Sequence, residues 1–442
     1  MKPLGLILSI AALLAPLIWL PALAMTHDVV AILSQYLGLA ALIAMSLGQV
    51  IATRWRSVEM VFGPLDQSYR LHKWLGIGAM AAVLLHDTVD AEIRGLGTET
   101  LVTELAETLG EISLYGLLIL VVITIATFIP YHLWKWTHRL IGTFFVMGAL
   151  HYLFILKPYA NLDPLGVYML VVCGIGAMAL AYTAAPRVFR PFRRFRITDL
   201  HREGGAVAVT LAPERLGLKY RAGQFAFVSF PDSGLTEPHP FTISTAPRED
   251  QNLRVTIAPL GDYTRRVIDA LHEGASARIE GPYGRFGAHL GGSQIWVAAG
   301  IGVTPFLALA GLLVDKQKHG QLSADTKVRM IFCARDTNNA PHLAELQSLA
   351  AQLPCFELTF WNTGERGRLT AEALADLSGT ALQKSRVLFC GPVDMRRSLQ
   401  TNLLPYGVTA RRFEYEAFQI RSGLGLRSFL ARLARFRDRV AG

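Results

Sequence analysis

The sequence predicts three structural layers in chain order: a membrane-embedded all-α bundle of six helices, an antiparallel β-barrel, and an α/β doubly wound domain. Three observations predict it. Residues 1–185 are dominated by apolar runs close to membrane-spanning length. Residues 196–285 are short alternating runs. The rest carries apolar strands that end in glycine or polar turns and lead into helices. At 442 residues the chain exceeds one core. Its mean hydropathy of +0.34 averages an apolar first part with an ordinary globular second part.

The net charge of +9 suits either nucleic acid or a membrane surface. Many basic residues fall in short loops between apolar runs and in one tract after the last run, so the expected partner is the lipid bilayer and not nucleic acid. Cys173, Cys333, Cys355 and Cys390 are far apart, with no CxxC pair. A zinc ribbon, a disulfide scaffold and c-type haem attachment therefore have no support.

Six segments approach the length of about 20 residues that a hydrocarbon core requires: 4–25, 29–52, 71–90, 112–130, 138–157 and 165–185. The first is expected to be a retained helix. A cleavable signal peptide is its alternative, because Met1-Lys2 and Ala22-Leu23-Ala24 flank the apolar stretch. Arg54, Arg56, Arg70, Lys73, Lys135 and Arg139, with the tract 186–196, share one side. The acidic loop 87–111 lies on the other. The positive-inside rule places both termini and everything after residue 186 in the cytoplasm.

His72 and His86 lie on the third span, His138 and His151 on the fifth. Both spans run from inside to outside, so the histidines form two depth-matched pairs about 20 Å apart. Intramembrane ionisable groups are functional by default. Two pairs at two depths suit two haems, each held by one imidazole from each helix, and do not converge as a zinc or copper site must. One feature resists this. Thirteen residues end about 140° from the starting face, so a straight fifth span does not present both histidines alike; Gly142 and Gly148 permit a kink or bulge there. His132 is a weaker ligand candidate, in a loop without a depth-matched partner. Arg54, Arg56, Arg70 and Lys73 either pair with haem propionates or only set topology.

The histidine pairs and the stretch FGPLDQSYRLHKW resemble the transmembrane domain of the ferric reductase and NADPH oxidase family. That resemblance implies electron transfer across the membrane through two b haems, fed by a flavin reductase in the rest of the chain. The runs FRITDL, AVAVTLA, QFAFVSF, PFTIST, LRVTIA and ARIEG suggest the barrel. Within it, HPFTIS matches the flavin-lining motif of ferredoxin-reductase-type proteins. By that resemblance Pro240 is among the FAD-binding residues, His239 lies on the ribityl–phosphate side, Phe241 packs near the isoalloxazine, and Thr242 hydrogen-bonds near N5. Taken alone, the stretch is an ordinary buried strand. In LGDYTRRVIDALHEG, Gly261 and Thr264 open an amphipathic helix whose N-terminus suits a pyrophosphate. The family often has a basic residue where Ala258 stands; Arg254, Arg265 or Arg266 are the substitutes.

QIWVAAGIGVTPFLALAGLL reads strand, glycine turn, helix, a G-x-G-x-x-P variant of the dinucleotide loop. Gly300 and Gly302 form the turn, Thr304 suits an N-cap and Pro305 the first helical turn. CGPVDM resembles the family motif beside the nicotinamide, which implies Cys390, Gly391 and Pro392 near the hydride path; a small buried thiol is the plainer reading. Arg335 favours NADPH over NADH if it pairs with a 2′-phosphate. In FEYEAF, Phe418 resembles the aromatic residue that covers the flavin. Residues 419–442 suggest a basic amphipathic helix, lying on the inner membrane surface or packed on its own domain.

The expected organisation is a transmembrane haem domain (1–185), a cytoplasmic FAD-binding barrel (193–287), an NAD(P)H-binding domain (288–418) and a C-terminal extension (419–442). The expected location is a bacterial inner membrane. The expected cofactors are FAD, two haem b and NADPH or NADH. The outer acceptor is O2, a metal chelate or a periplasmic partner protein, and the sequence leaves these open.

Overall fold

The computed structural model describes residues 2–89, 93, 96–125, 129, 131–185 and 191–416. Phe418, the extension 419–442 and residues 186–190 of the basic tract lie outside the described residues. The fold divides near residue 190 into two compact units.

The first unit contains, among the described residues, α1 (Pro3–Leu14), α2 (Leu20–Ala24), α3 (Val29–Ala52), α4 (Arg56–Phe62), α5 (Leu65–Thr88), α6 (Leu101–Ile125), α7 (Tyr131–Phe154) and α8 (Pro164–Ala184). A 3-10 turn at Ala15–Ile18 joins α1 to α2 beside Pro16. Among the described residues, four segments are long and apolar enough to cross a membrane: Pro3–Ala24, Val29–Ala52, Leu101–Thr124 and Pro164–Ala184. The 24-residue helices α5 and α7 are about 36 Å long, also enough for a bilayer. They carry the histidines and several charges, and they fall short in apolar content.

Three helices start well before their apolar runs. α5 begins at Leu65, α6 at Leu101 and α7 at Tyr131. The second half of the acidic loop expected at 87–111 is therefore helical, with Glu104, Glu107 and Glu111 on α6. Hydropathy reports where lipid begins, and backbone hydrogen bonding continues past that point. Asp28 starts α3 by accepting from the N–H groups of Val30 and Ala31, a cap worth about 1 kcal/mol. α3 packs along both α5 and α8, and α6 lies along α7. Small residues allow the close approach: Gly116 faces the Phe144 ring, and Gly176 faces Ser46 and Phe145.

In the second unit, β1 (Arg193–Glu203), β2 (Ala206–Pro213), β3 (Phe225–Phe230), β4 (Leu235–Thr242), β5 (Leu253–Ile257) and β6 (Ser276–Tyr283) form one antiparallel sheet in the order β4-β3-β6-β1-β2-β5. A bridge between Ile243 and Val255 brings the two edges together into a barrel. Its core contains Phe195, Val209, Val228, Phe230, Ile243 and Val255. α9 (Asp262–Ala270) lies between β5 and β6.

The remaining strands are β7 (Ser293–Ala299), β8 (Lys327–Ala334), β9 (Phe356–Asn362), β10 (Arg386–Cys390) and β11 (Phe413–Tyr415). They form a parallel sheet in the order β11-β10-β7-β8-β9. The helices are α10 (Thr304–Lys318), α11 (Leu343–Ala351), α12 (Thr363–Arg366), α13 (Ala371–Ser378) and α14 (Val393–Asn402). Trp296, Phe306 and Phe332 fill one face of this sheet, and Val297, Val387 and Phe389 the other. A sheet buried on both faces explains its continuous apolar strands. The strand order reverses between β7 and β10, the crevice where doubly wound sheets bind ligands.

Candidate functional site

The four membrane histidines are held in a common way. His72 Nδ1 lies 3.0 Å from the Gly48 carbonyl oxygen. His86 Nδ1 lies 2.8 Å from the Ser34 carbonyl and 2.9 Å from Ser34 Oγ. His151 Nδ1 lies 2.8 Å from the Ala106 carbonyl. A carbonyl only accepts, so Nδ1 carries the proton in all three, and the Nε2 lone pair is left for a metal. His138 Nδ1 lies 3.3 Å from Thr124 Oγ1, a hydroxyl that either donates or accepts. α3 thus anchors both histidines of α5, and α6 anchors both histidines of α7. Metal-ligating imidazoles are characteristically fixed by such a bond from the second nitrogen.

The depth match expected from sequence holds for the first pair. The rings of His72 and His138 stand 6.0 Å apart at 62°. Two imidazoles on one metal, with bonds of about 2 Å each, place their rings at about this separation. His86 and His151 lie within electrostatic reach of each other. Glycine makes room for one ring: a Cβ at Gly110 would stand 2.6 Å from His151, whereas at Gly38 and Gly48 it would make ordinary contact with His86 at 3.4 Å and His72 at 3.5 Å. Trp134 stacks on His138 at 5.0 Å. The donor set and the cleared space fit two bis-imidazole haems. Both α7 histidines reach α6 despite their thirteen-residue spacing. Arg54 donates from Nε to the Tyr69 hydroxyl. The side chain of His132 lies outside the described residues.

The flavin candidates gather at one end of the barrel. Thr242 pairs with Phe225, and Phe225 with Tyr283, across β4, β3 and β6. Thr242 is buried, and its hydroxyl has no hydrogen-bond partner among the described residues. A buried orphan hydroxyl costs about 1–3 kcal/mol, and a flavin ring heteroatom would satisfy it. Phe241 points instead into the barrel core, so its first role is packing. His239 stacks on Tyr263 at 3.6 Å, which joins the end of β4 to the start of α9. Pro240 pairs with Phe227. Gly261 is extended, with φ −166°, a backbone open to any residue. The space beside it is empty within 4 Å, as a phosphate approach needs. The Thr264 hydroxyl bonds to the N–H and C=O of Gly261, closing the first turn. Free first-turn N–H groups therefore suit an anion better than this hydroxyl does. Arg254, one of the suggested phosphate ligands, is committed to Glu345 at 2.8 Å.

At the switch point, Gly302 lies against the Cys390 carbonyl, where no Cβ fits, and Gly391 meets Ala299. The two glycine-bearing turns that end β7 and β10 are therefore in direct contact. Gly300 has φ +54°, a left-handed turn that favours glycine. α10 begins at Thr304, with Pro305 in its first turn. Thr304 is thus the first helical residue and not the N-cap, because a 3-10 turn at Gly300–Val303 precedes it. Its hydroxyl donates to the Ile301 carbonyl. Cys390 is fully buried, and burial, reinforced by the charge of Glu416, pushes its thiol well above the ordinary range. It remains a neutral thiol at a strand end. Pro392 N-caps α14. Arg335 is exposed, and its carbonyl accepts from Gly364 N–H.

Glu416, a residue of the FEYEAF stretch to which the sequence gives no role, lies between the two sites. A Cβ at Gly284 would stand 3.1 Å from the Phe225 ring and 3.4 Å from Glu416 Oε1. The flavin end of the barrel thus meets the Cys390 end of the parallel sheet through Gly284 and Glu416. This arrangement and the apolar helices of the first unit define a membrane-embedded nicotinamide–flavin oxidoreductase.

Comparison with known proteins agrees. Residues 37–149 match the family model "Ferric reductase like transmembrane component", residues 199–287 "FAD-binding domain", and residues 296–401 "Oxidoreductase NAD-binding domain". The stachydrine N-demethylase reductase subunit of Rhizobium meliloti is 26% identical over 46% of this chain and 59% of its own length. Ferric reduction oxidase 7 of Arabidopsis thaliana is 23% identical over 64% of this chain and 40% of its own. NADPH oxidase 1 of Mus musculus is 33% identical over 29% of this chain and 22% of its own. The chain carries these three domains in this order, and its relatives include an NADPH oxidase and a ferric reduction oxidase. It matches less than two thirds of the length of each of these relatives.

Proposed function

We propose that this chain takes electrons from NADPH in the cytoplasm and delivers them singly to an acceptor outside a bacterial inner membrane. The acceptor in the first reading is O2, giving superoxide. The observation that carries the proposal is the presentation of four imidazoles at two depths, each turned by a bond from Nδ1. FAD, when bound, converts a two-electron hydride into single electrons, and two b-type haems relay them.

The chain's own residues position these groups. His72 and His138 hold the inner iron, and His86 and His151 the outer one. Thr242 gives the flavin a hydrogen-bond partner, and the start of α9 from Gly261 offers N–H groups to the pyrophosphate. Gly300, Gly302, Gly391 and Pro392 shape the nicotinamide crevice beside Cys390. Arg335 is the candidate for a 2′-phosphate, and Phe418 for cover over the flavin. No side chain is required to act as acid or base.

A ferric chelate is the second reading, favoured by the ferric reduction oxidase that matches 64% of this chain. A protein acceptor is the third, in keeping with the relative that is a reductase subunit. The test uses purified full-length protein with FAD, haem and NADPH. Haem reduction is followed without oxygen, and then oxygen or a ferric chelate is admitted. Superoxide formed at the rate of NADPH consumption supports the first reading. Slow reoxidation by oxygen with rapid Fe(II) formation replaces it with the second. If both acceptors are slow, a protein acceptor takes their place. Haems that never reduce, or haem that survives His72→Ala and His138→Ala, would remove the proposed path.

A further inference from the structure

Five side chains in the second unit close a ring between the barrel and the parallel sheet. Ser244 Oγ lies 3.2 Å from Thr256 Oγ1. Thr256 Oγ1 lies 3.0 Å from His342 Nε2. His342 Nδ1 donates to Glu345 Oε2 at 3.0 Å. Glu345 Oε1 accepts from Arg254 Nη2 at 2.8 Å. Arg254 Nε donates back to Ser244 Oγ at 3.2 Å. Ser244, Arg254 and Thr256 belong to the barrel, and His342 and Glu345 to the start of α11. Arg254 is a sequence candidate for the phosphate that the structure pairs with Glu345 instead, and the other four are not among the residues assigned to FAD, nucleotide or haem.

The ring is built with some strain. His342 is 3% exposed and sits at φ +61°, a left-handed backbone uncommon for a residue with a side chain. That conformation sets both ring nitrogens between Thr256 and Glu345. A buried ion pair adds little stability over an apolar contact of the same shape. What it adds is direction, because each bond has a fixed length and angle. Ser244 stands two residues beyond Thr242, so the two project to the same side of an extended chain. Ser244 N–H also donates to the Arg254 carbonyl at 2.7 Å. The ring therefore holds the flavin-lining strand at a set height against the nucleotide domain. Nearby, the Gly204 turn meets Pro341, one residue before His342.

We propose that Ser244, Arg254, Glu345, His342 and Thr256 form a positioning clamp that sets the flavin-to-nicotinamide approach, and that opening it slows hydride transfer without releasing either partner. The hydride leaves nicotinamide C4 with its electron pair and arrives at flavin N5, oxidising NADPH and reducing FAD. The clamp touches neither reacting atom and acts through Thr242 and its strand. This inference rests on the function proposed above.

The experiment is anaerobic rapid mixing of NADPH with full-length, FAD- and haem-loaded protein, following flavin absorbance. E345Q and H342N are compared with the unmodified chain. Asn tolerates the left-handed backbone and removes both ring bonds, so H342N also serves if the charged variant does not fold. FAD content and the half-saturating NADPH concentration are expected to stay within about twofold. The limiting rate of flavin reduction is expected to fall by about tenfold to a hundredfold, as a displacement of order 1 Å costs. An unchanged limiting rate in both variants would overturn the clamp. So would loss of FAD or nucleotide affinity in H342N, which makes the ring merely structural. If the unmodified protein fails to reduce its flavin, the proposed function falls first, and that result is distinguishable from either.

Discussion

Gly110 lies directly against the imidazole of His151: a Cβ there would stand 2.6 Å from Nδ1 and 2.9 Å from Cε1. The same nitrogen is bonded to the Ala106 carbonyl one turn earlier on α6. Neither a helix backbone nor a ring held by that bond can yield the missing distance. Gly110→Ala is therefore expected to displace His151, lowering outer haem content or shifting its potential, with the inner haem and FAD intact. Gly76→Ala is the control, because nothing lies within 4 Å of that position. Potentiometric titration of the purified variants reads both.

Ser34 supplies two acceptors to His86, its carbonyl and its hydroxyl, whereas Gly48 supplies His72 with one. Ser34→Ala removes only the hydroxyl. Such a bond is worth about 0.5–1.5 kcal/mol, so a shift of the outer haem potential on the order of tens of millivolts is expected. An unmoved outer potential, or an equal shift of both haems, would count against the assignment.

Thr242→Val separates protein stability from flavin binding. The hydroxyl has no partner among the described residues, so its removal is expected to stabilise the FAD-free chain by about 1 kcal/mol. The same change is expected to weaken FAD binding. Chemical denaturation with and without FAD, alongside a flavin titration, tests the opposed signs. A loss of stability in both states would show that Thr242 already has its partner.

Glu345 gives a pH prediction. Burial raises its pKa, but hydrogen bonds from His342 and Arg254, and their charges, outweigh it and leave the carboxyl at about 2. A carboxyl depressed in the fold contributes stability above its unfolded pKa, and loses it as pH falls toward the folded value. The contribution is complete above about pH 4.5 and disappears on the way to pH 2. Glu345→Gln is expected to flatten stability against pH within that window only. An identical slope in the variant would contradict the pairing.

The parts that could be read from sequence were those where chemistry and periodicity coincide. Imidazoles in apolar helices stand out, and so do alternating strands and a glycine turn between strand and helix. The groups that orient the imidazoles do not stand out. Two of the α5 and α7 acceptors, Gly48 and Ala106, act through carbonyls that every residue possesses, and Gly38 and Gly110 resemble any helix glycine. The clamp was hidden for another reason: Arg254 and Glu345 are 91 positions apart and look like ordinary surface charges. The start of α6 leaves no mark in hydropathy because Glu104, Glu107 and Glu111 interrupt the apolar signal without interrupting the helix. Thr304 lies one position inside α10, because the short 3-10 turn before it leaves no mark in composition. Phe241 has the side chain expected beside a flavin, but the pleat turns it into the barrel.

The acceptors on α3, Ser34 and Gly48, are fourteen residues apart, and so are the histidines they hold on α5, His72 and His86. The interval between the two histidines is thus written twice, on neighbouring helices. A residue inserted between His72 and His86 would shift one imidazole by about 1.5 Å and turn it by about 100°, away from its carbonyl. The stretch can change in sequence at positions between the two histidines, but its length is fixed by partners on a neighbouring helix.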